Sequence, residues 1–358
     1  RPRWYRLSMG SRRTLCSLAV ATIATLLAVA GCDASSAAWL LGTLLTSLSP
    51  AGLGGSRYSP LPFARRLEEW AYGRWEISDP PLSPSVPLPV LEVFPTAATE
   101  DIDLRAPFIV RGLFNGSAAL GAQDWLRDPP VGELEVPYYS NASDGALRPD
   151  SVGRLAEVAD AIQAGGPQKL ATELVFRRHP QLIERLQLAP PLARLFGSST
   201  FEQWRLGKTL TVPIFMGTGA ADAAVRTDLH AEPIGSATLA LSGSKVWTLV
   251  PASESHLLRP SVASDGRAFF RTRRAHGAAG ALAIAESGAA HYVVEQSAGD
   301  VLWVPTWCWH RVDYQAGVTA LSVSLFHLRI GQLLGDNRLF AAGLLPNLLK
   351  ELVGWKTQ

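Results

Sequence analysis

Cysteine is nearly absent: the 358 residues include only Cys16, Cys32 and Cys308. Two of the three lie in or beside an apolar leader, so neither a disulfide framework nor a cysteine zinc site can be built. An excess of charge of one sign is also missing. Thirty-three Lys and Arg stand against 31 Asp and Glu, a balance that argues against a dedicated nucleic-acid binder. No internal repeat is evident. Tryptophan, by contrast, is plentiful, with 11 against 7 tyrosines, and the chain is long enough to bury a substantial core.

An uncharged apolar run extends from Leu15 to Ala30, behind Arg1, Arg3 and Arg6 and ahead of the small residues AVAGCDASS. That order is the pattern of a signal peptide or membrane anchor over residues 1–36. The run is slightly short of the roughly 20 residues of a bilayer span. LAVAGC also resembles a bacterial lipoprotein box, which would make Cys32 the lipidated residue. Either way the expectation is a protein that is exported or membrane-anchored and not freely cytosolic. The second apolar piece, AAWLLGTLLTSL, reads as part of a bipartite leader or as an interfacial helix.

Residues 37–99 are dense in Pro and Ser, as in SDPPLSPSVPLPVLEVFP, and read as a linker; the helical spacing of FARRLEEWAYGRW is the exception. A folded domain is expected over 100–330. In it RAPFIVRGL reads as a strand, SVGRLAEVADAIQAG as a Ser-capped helix, and PQKLATELVFRRHPQLIERLQL as a helix pair or a kinked helix broken at Pro180. Beyond Leu206 short β segments follow one another between turn signals, at the spacing of an all-β barrel or sandwich. Residues 331–358 return to helix, with an apolar stripe at Leu344, Leu345, Leu348, Leu349 and Leu352 that would permit a homodimer.

Chemistry concentrates in RTDLHAEPIGSATLALSGSKVWTLV and, downstream, in AGDVLWVPTWCWHRV. On a strand His230 and Glu232 project from one face. An imidazole and a carboxylate side by side are two-thirds of a 2-His-1-carboxylate set, which suits non-haem Fe(II) and leaves positions open. His310 is the candidate third ligand. Taken singly, a His beside a Glu such as His230 and Glu232 is more often a surface polar pair, and the alternative for Lys245 is a lysine that snorkels from a strand start. His179, His256, His276 and His291 lack ligand spacing and read as solvent-facing. Trp303, Trp307 and Trp309 read as walls of a barrel around the site. FRTRRAH reads as a basic loop, and Asn115 and Asn141 head glycosylation sequons.

Taken together, the order PFIVRGL, TDLHAE, LSGSKVWTLVP, AGDVLWVPTWCWHRV and LSVSLFHL resembles the JmjC, or cupin-like, Fe(II)/2-oxoglutarate oxygenases, in particular the small protein hydroxylases. The resemblance covers about Asp101 to Arg329. It implies a mainly β fold, a double-stranded β-helix (jelly-roll) with flanking helices. It also implies Fe(II) held by His230, Glu232 and His310, and 2-oxoglutarate as cosubstrate. The far carboxylate of that cosubstrate would be held by Lys245 with help from Thr227, and the substrate would be a protein or peptide side chain that becomes hydroxylated. No catalytic residue is implied beyond the metal ligands. Two positions depart from the pattern: the carboxylate is glutamate where aspartate is commoner, and Ser324 stands where relatives often carry asparagine. Two other readings remain, a barrel kept as a membrane-associated scaffold and a cupin that uses another metal without 2-oxoglutarate.

Overall fold

The computed structural model describes residues 33–48, 61–78, 91–93, 103–113, 123–141, 149–184, 208–219, 225–262, 267–273 and 284–352. Contacts divide the chain into two units. The larger comprises Pro80–Ala263 and Ala268–Asn337; the smaller comprises Arg1–Asp79, Ser264–Arg267 and Arg338–Gln358.

The larger unit is built on two sheets. The ten-stranded sheet runs in the order Leu91–Val93, Phe108–Val110, Val301–Val304, Gly235–Ser242, Thr319–Leu328, Ile214–Thr218, Lys169–Thr172, Glu135–Tyr139 and Ser151–Arg154, with Lys208–Thr211 also pairing on Thr319–Leu328. The six-stranded sheet runs Pro260–Val262, Phe270–Thr272, His230–Ala231, Trp309–Tyr314, Ser244–Val250 and Tyr292–Ser297. Among the described strands the pairings are antiparallel except that of Leu91–Val93 with Phe108–Val110. This is the mainly β architecture expected from the run of short strands beyond Leu206.

Period-two alternation sorts the side chains of the central strands to two cores. In Thr319–Leu328, Leu321, Val323 and Leu325 join the core capped by the Leu155–Gln163 helix, which contributes Leu155, Val158 and Ile162. Ala320 faces the other way, into a layer shared with Trp247, Leu249, Val312 and Tyr314 of the smaller sheet. The sheets therefore face one another across that layer. Gln296 bridges it, donating through Nε2 to the Thr238 carbonyl at 2.7 Å while its Oε1 accepts the Trp247 indole N–H at 2.9 Å. A polar bridge of this kind is tolerable only because each buried group has a partner.

Several elements differ from the sequence expectation. Ser151–Arg154 is a strand paired with Glu135–Tyr139, and the helix starts only at Leu155, with Arg154 at its cap position and no side-chain cap bond. Lys169–Thr172 is a strand paired with Ile214–Thr218, and only Leu174–Arg178 and Gln181–Glu184 of that stretch are helical. Phe270–Thr272 of the expected basic loop is a strand paired with His230–Ala231. In each case a sheet edge supplies hydrogen-bond partners that local spacing does not reveal.

The smaller unit packs three helices, Ala34–Leu48, Leu61–Ser78 and Arg338–Leu352. Ala34–Leu48 starts within the expected leader and runs into the expected linker, while Leu61–Ser78 covers the stretch read there as helical; Trp39 and Tyr72 are buried and Trp39 contacts both Trp75 and Phe340. Gly42 lets the first two helices meet, since a Cβ there would lie 2.7 Å from the Ala64 carbonyl oxygen. Phe340 and Leu344 of the C-terminal helix are buried within this unit, so part of the apolar stripe is already covered. Residues 1–32 of the expected leader, including its apolar run Leu15–Ala30, lie outside the described residues, as do the proline-dense 80–90, and no described helix is long and apolar enough to cross a membrane.

Gly217 is a tight point of the inter-sheet layer: a Cβ on it would sit 3.0 Å from Tyr314 Cε1. Gly217→Ala should lower stability by about 1–3 kcal/mol, the usual penalty for overpacking. Urea unfolding measures this, and pairing the change with Tyr314→Leu should restore part of the loss. A double variant no more stable than Gly217→Ala would refute the steric explanation.

Candidate metal centre

The segment LHAE enters the smaller sheet as the two-residue strand His230–Ala231, held between Phe270–Thr272 and Trp309–Tyr314. Its register sets His230 directly opposite His310, and the imidazole centroids are 4.2 Å apart. Glu232 follows just beyond the strand. Its carbonyl accepts the Trp307 N–H at 2.9 Å, which fastens this end of the strand to the turn that leads into His310. Trp307 takes the left-handed conformation in that turn, with φ of 63°. One ligand atom from each of His230, Glu232 and His310 lies within 4.8 Å of the other two.

Both rings are aimed in the same way. His230 Nδ1 is 2.8 Å from the Asp228 carbonyl and His310 Nδ1 is 3.1 Å from the Cys308 carbonyl. A carbonyl only accepts, so each Nδ1 carries the proton and each Nε2 presents its lone pair. Asp228 is anchored in turn by an ion pair with Arg271. Burial, reinforced by the Lys245 ammonium, pushes His310 down to about 4 against the pull of its Cys308 contact. The ring is therefore neutral and able to ligate at pH 7. Two imidazole nitrogens and one carboxylate make a donor set that fits a divalent transition ion, Fe(II) included, with coordination positions left open.

Lys245 lies on the same inner face. It pairs with Tyr314, as Trp247 pairs with Val312 and Leu249 with His310, and directly paired residues share a face. The side chain is 2 % exposed, its Nζ donating to Ser322 Oγ at 2.6 Å and lying 4.7 Å from the Trp247 ring centroid. It does not snorkel. Burial pushes its ammonium down to about 7, as expected of a cation in a low-dielectric layer. Thr227 clasps the neighbouring strand: its Oγ1 accepts the Val312 N–H at 2.9 Å and its own N–H donates to the Val312 carbonyl at 2.9 Å. Its hydroxyl hydrogen is not used in that clasp. Ser324 Oγ bonds Thr238 Oγ1 at 2.8 Å inside the layer.

The three tryptophans beside His310 do not wall this site. Trp303 stacks on Phe108 in the core capped by the helix, Trp307 donates to the Leu333 carbonyl, and Trp309 donates to Ser255 Oγ from the opposite face of its strand. Trp247 takes that part instead, its ring 6.1 Å from that of His310. The alternation in KVWTL, which puts Lys245, Trp247 and Leu249 on one face, was the signal available for it. Ser322 had the same signal in LSVSLF. His291 is buried, with Nδ1 3.2 Å from the Ala289 carbonyl, and is not solvent-facing. His276 and Asn115 lie outside the described residues.

The depressed Lys245 group makes stability depend on pH. Between about 7 and the ordinary 10.5 the unfolded chain holds a proton there that the folded chain does not. The ligand-free protein should therefore be most stable above that window, lose stability as pH falls towards 7, and be insensitive to this group below it. Lys245→Met should remove the slope and stabilise the ligand-free protein at pH 7 by on the order of 3 kcal/mol. Urea unfolding at pH 7 and pH 10 tests this, and an unchanged slope in the variant would exclude Lys245 as its source.

No curated protein matches the chain. A family model described as a cupin-like domain matches residues 153–329, a span that holds His230, Glu232, Lys245 and His310. Over that span the chain is similar to cupin-like domains, and the two facing β-sheets are compatible with that likeness.

Proposed function

We propose that the protein is an Fe(II)- and 2-oxoglutarate-dependent dioxygenase that hydroxylates a protein or peptide side chain. The observation that carries this reading is the convergence of His230, Glu232 and His310 on the inner face that also holds the buried Lys245. A metal triad alone would suit many cupin chemistries. A buried lysine on the same face adds a demand for an anion, because an ammionium-type charge in a low-dielectric layer is costly without one. A dicarboxylate that ligates the metal at one end and meets Lys245 at the other satisfies both.

Bound iron would supply the oxygen activation that hydroxylates carbon. The chain itself supplies position and exclusion of water. His230 and His310 present Nε2 because their Nδ1 protons are engaged by the Asp228 and Cys308 carbonyls. Glu232 contributes the one negative charge of the triad, which leaves a divalent ion with net positive charge for the keto acid. Lys245, desolvated when alone, regains its proton as an anionic ligand arrives. Ser322 accepts one of its hydrogen bonds and so directs the rest. Trp247, Leu249 and Val312 keep the space between triad and lysine apolar.

Glutamate in place of aspartate lengthens one ligand by a methylene. The carboxylate oxygen still falls within the 4.8 Å cluster, so the longer arm keeps the donor set intact. The full chain, supplied with Fe(II), 2-oxoglutarate, oxygen and candidate peptides, should form succinate and a hydroxylated peptide. His230→Ala should lower that turnover by at least about 100-fold, more than the loss of an outer-shell partner causes. Succinate formation equal in the native protein and the variant would sink the assignment. Iron binding without any turnover would favour the scaffold reading instead.

A further inference from the structure

The strand Phe270–Thr272 carries part of the basic run FRTRRAH to the edge of the metal centre. Phe270 and Thr272 are buried, and Phe270 shares the outer face with its partner Ala231 and packs on Trp307. Phe269, Arg271 and Arg273 alternate with them, so they turn to the inner face, where each is half-buried.

The register fixes where that face leads. Ser261, Arg271, His230, His310 and Leu249 are successive direct partners on neighbouring strands and form one transverse row. Arg271 therefore stands one strand beyond His230, on the side away from Leu249, at a backbone spacing of about 4.8 Å. The Phe269 ring meets that of His230 edge-on at 5.8 Å, which brings this strand's inner face up to the triad. Lys245 lies in another direction, along its own strand from Leu249. That separation is on the order of 13 Å at the usual rise per residue. An anion at Arg271 and a dicarboxylate at Lys245 would thus reach the metal from different sides.

Arg271 is held in place without being used up. Its Nη2 donates to Asp228 Oδ2, and the side chain is still 21 % exposed. A guanidinium offers five N–H donors in a rigid planar fork, and among the described residues only Asp228 accepts from this one. Arg273 adds a second cation on the same face, its Nη2 3.4 Å from Ser261 Oγ. Two arginines against the single Asp228 leave one positive charge over. That excess matches a carboxylate better than the near-double charge of a phosphate ester.

We propose that Arg271, supported by Arg273, is a substrate-recognition residue that receives a peptide carboxylate beside the metal centre. The substrate is then an acidic segment, with an aspartate or glutamate close to the residue that is hydroxylated. The inference rests on the protein-hydroxylase reading above and names the class of its substrate.

The experiment uses the full chain, immobilised and loaded with Mn(II) and 2-oxoglutarate in the absence of oxygen. It is offered two degenerate peptide pools, identical except that each Asp or Glu of the first is Asn or Gln in the second. The native protein should retain the acidic pool about tenfold better, the usual worth of a charge-assisted hydrogen bond. Arg271→Gln should bring that ratio to within about twofold, whereas Arg271→Lys, which keeps the charge, should preserve most of it. Arg273→Gln leaves the Arg271–Asp228 pair in place and should lower the ratio by less, about threefold. A native protein without acidic preference overturns the inference, and so does a preference that survives Arg271→Gln. A loss in Arg271→Gln that falls equally on both pools also overturns it, since Arg271 would then do no more than hold Asp228. Turnover is read separately, with Fe(II) and oxygen. An acidic preference without succinate formation from either pool would overturn the oxygenase reading and leave the recognition site standing.

Discussion

The register that sets His230 against His310 is the constraint on which the rest depends. Only two residues form the strand that carries His230, too few to hold a position by themselves. Their alignment comes from neighbours on both sides and from the bond between the Trp307 N–H and the Glu232 carbonyl. A slip of one residue would turn His310 to the outer face and bring Arg311 inward. The metal triad, the orientation of both rings and the placement of Lys245 relative to them all presuppose this one pairing.

Around it the layer between the sheets is unusually mixed. Apolar Leu249, Val312 and Ala320 share it with Lys245, Gln296, Thr238, Ser322 and Ser324. The polar members are joined in pairs: Lys245 to Ser322, Ser324 to Thr238, and Gln296 to Trp247 and the Thr238 carbonyl. Such networks hold two sheets at a fixed separation, since any change of spacing strands a desolvated group. The helix-capped core behind the larger sheet has the opposite character: it is mainly apolar, and the Thr218 hydroxyl buried beside it donates to the Ile162 carbonyl of the helix. Stability and chemistry are thereby assigned to different faces of the same strands.

Much of this was legible in the residues. His230, Glu232 and His310 stand out because two ligand types two positions apart, and a later histidine after a tight turn, form a recognisable donor set. The run of β segments beyond Leu206 was equally plain. What local spacing misjudged was whatever depended on a distant edge. Lys169–Thr172 and Ser151–Arg154 carry no strand signal strong enough to outweigh the helical run beside them, and they become strands because Ile214–Thr218 and Glu135–Tyr139 offer hydrogen bonds. The tryptophans near His310 were misplaced for a related reason: closeness in sequence to a ligand does not fix which side of a strand, or which turn, a ring occupies. Trp247, 63 positions from His310 along the chain but across one strand pair from it, is the aromatic that meets the site.

The two histidines also lie 80 positions apart along the chain, from 230 to 310. An ion held by both would bind only the folded chain, in which the strand register brings them together, and so would add its binding free energy to folding. Because one of the joined strands is so short, the ion would reinforce the pairing that created its own site. Metal supply and the population of folded protein would then rise and fall together, and scarcity of the ion would be felt first as loss of the molecule.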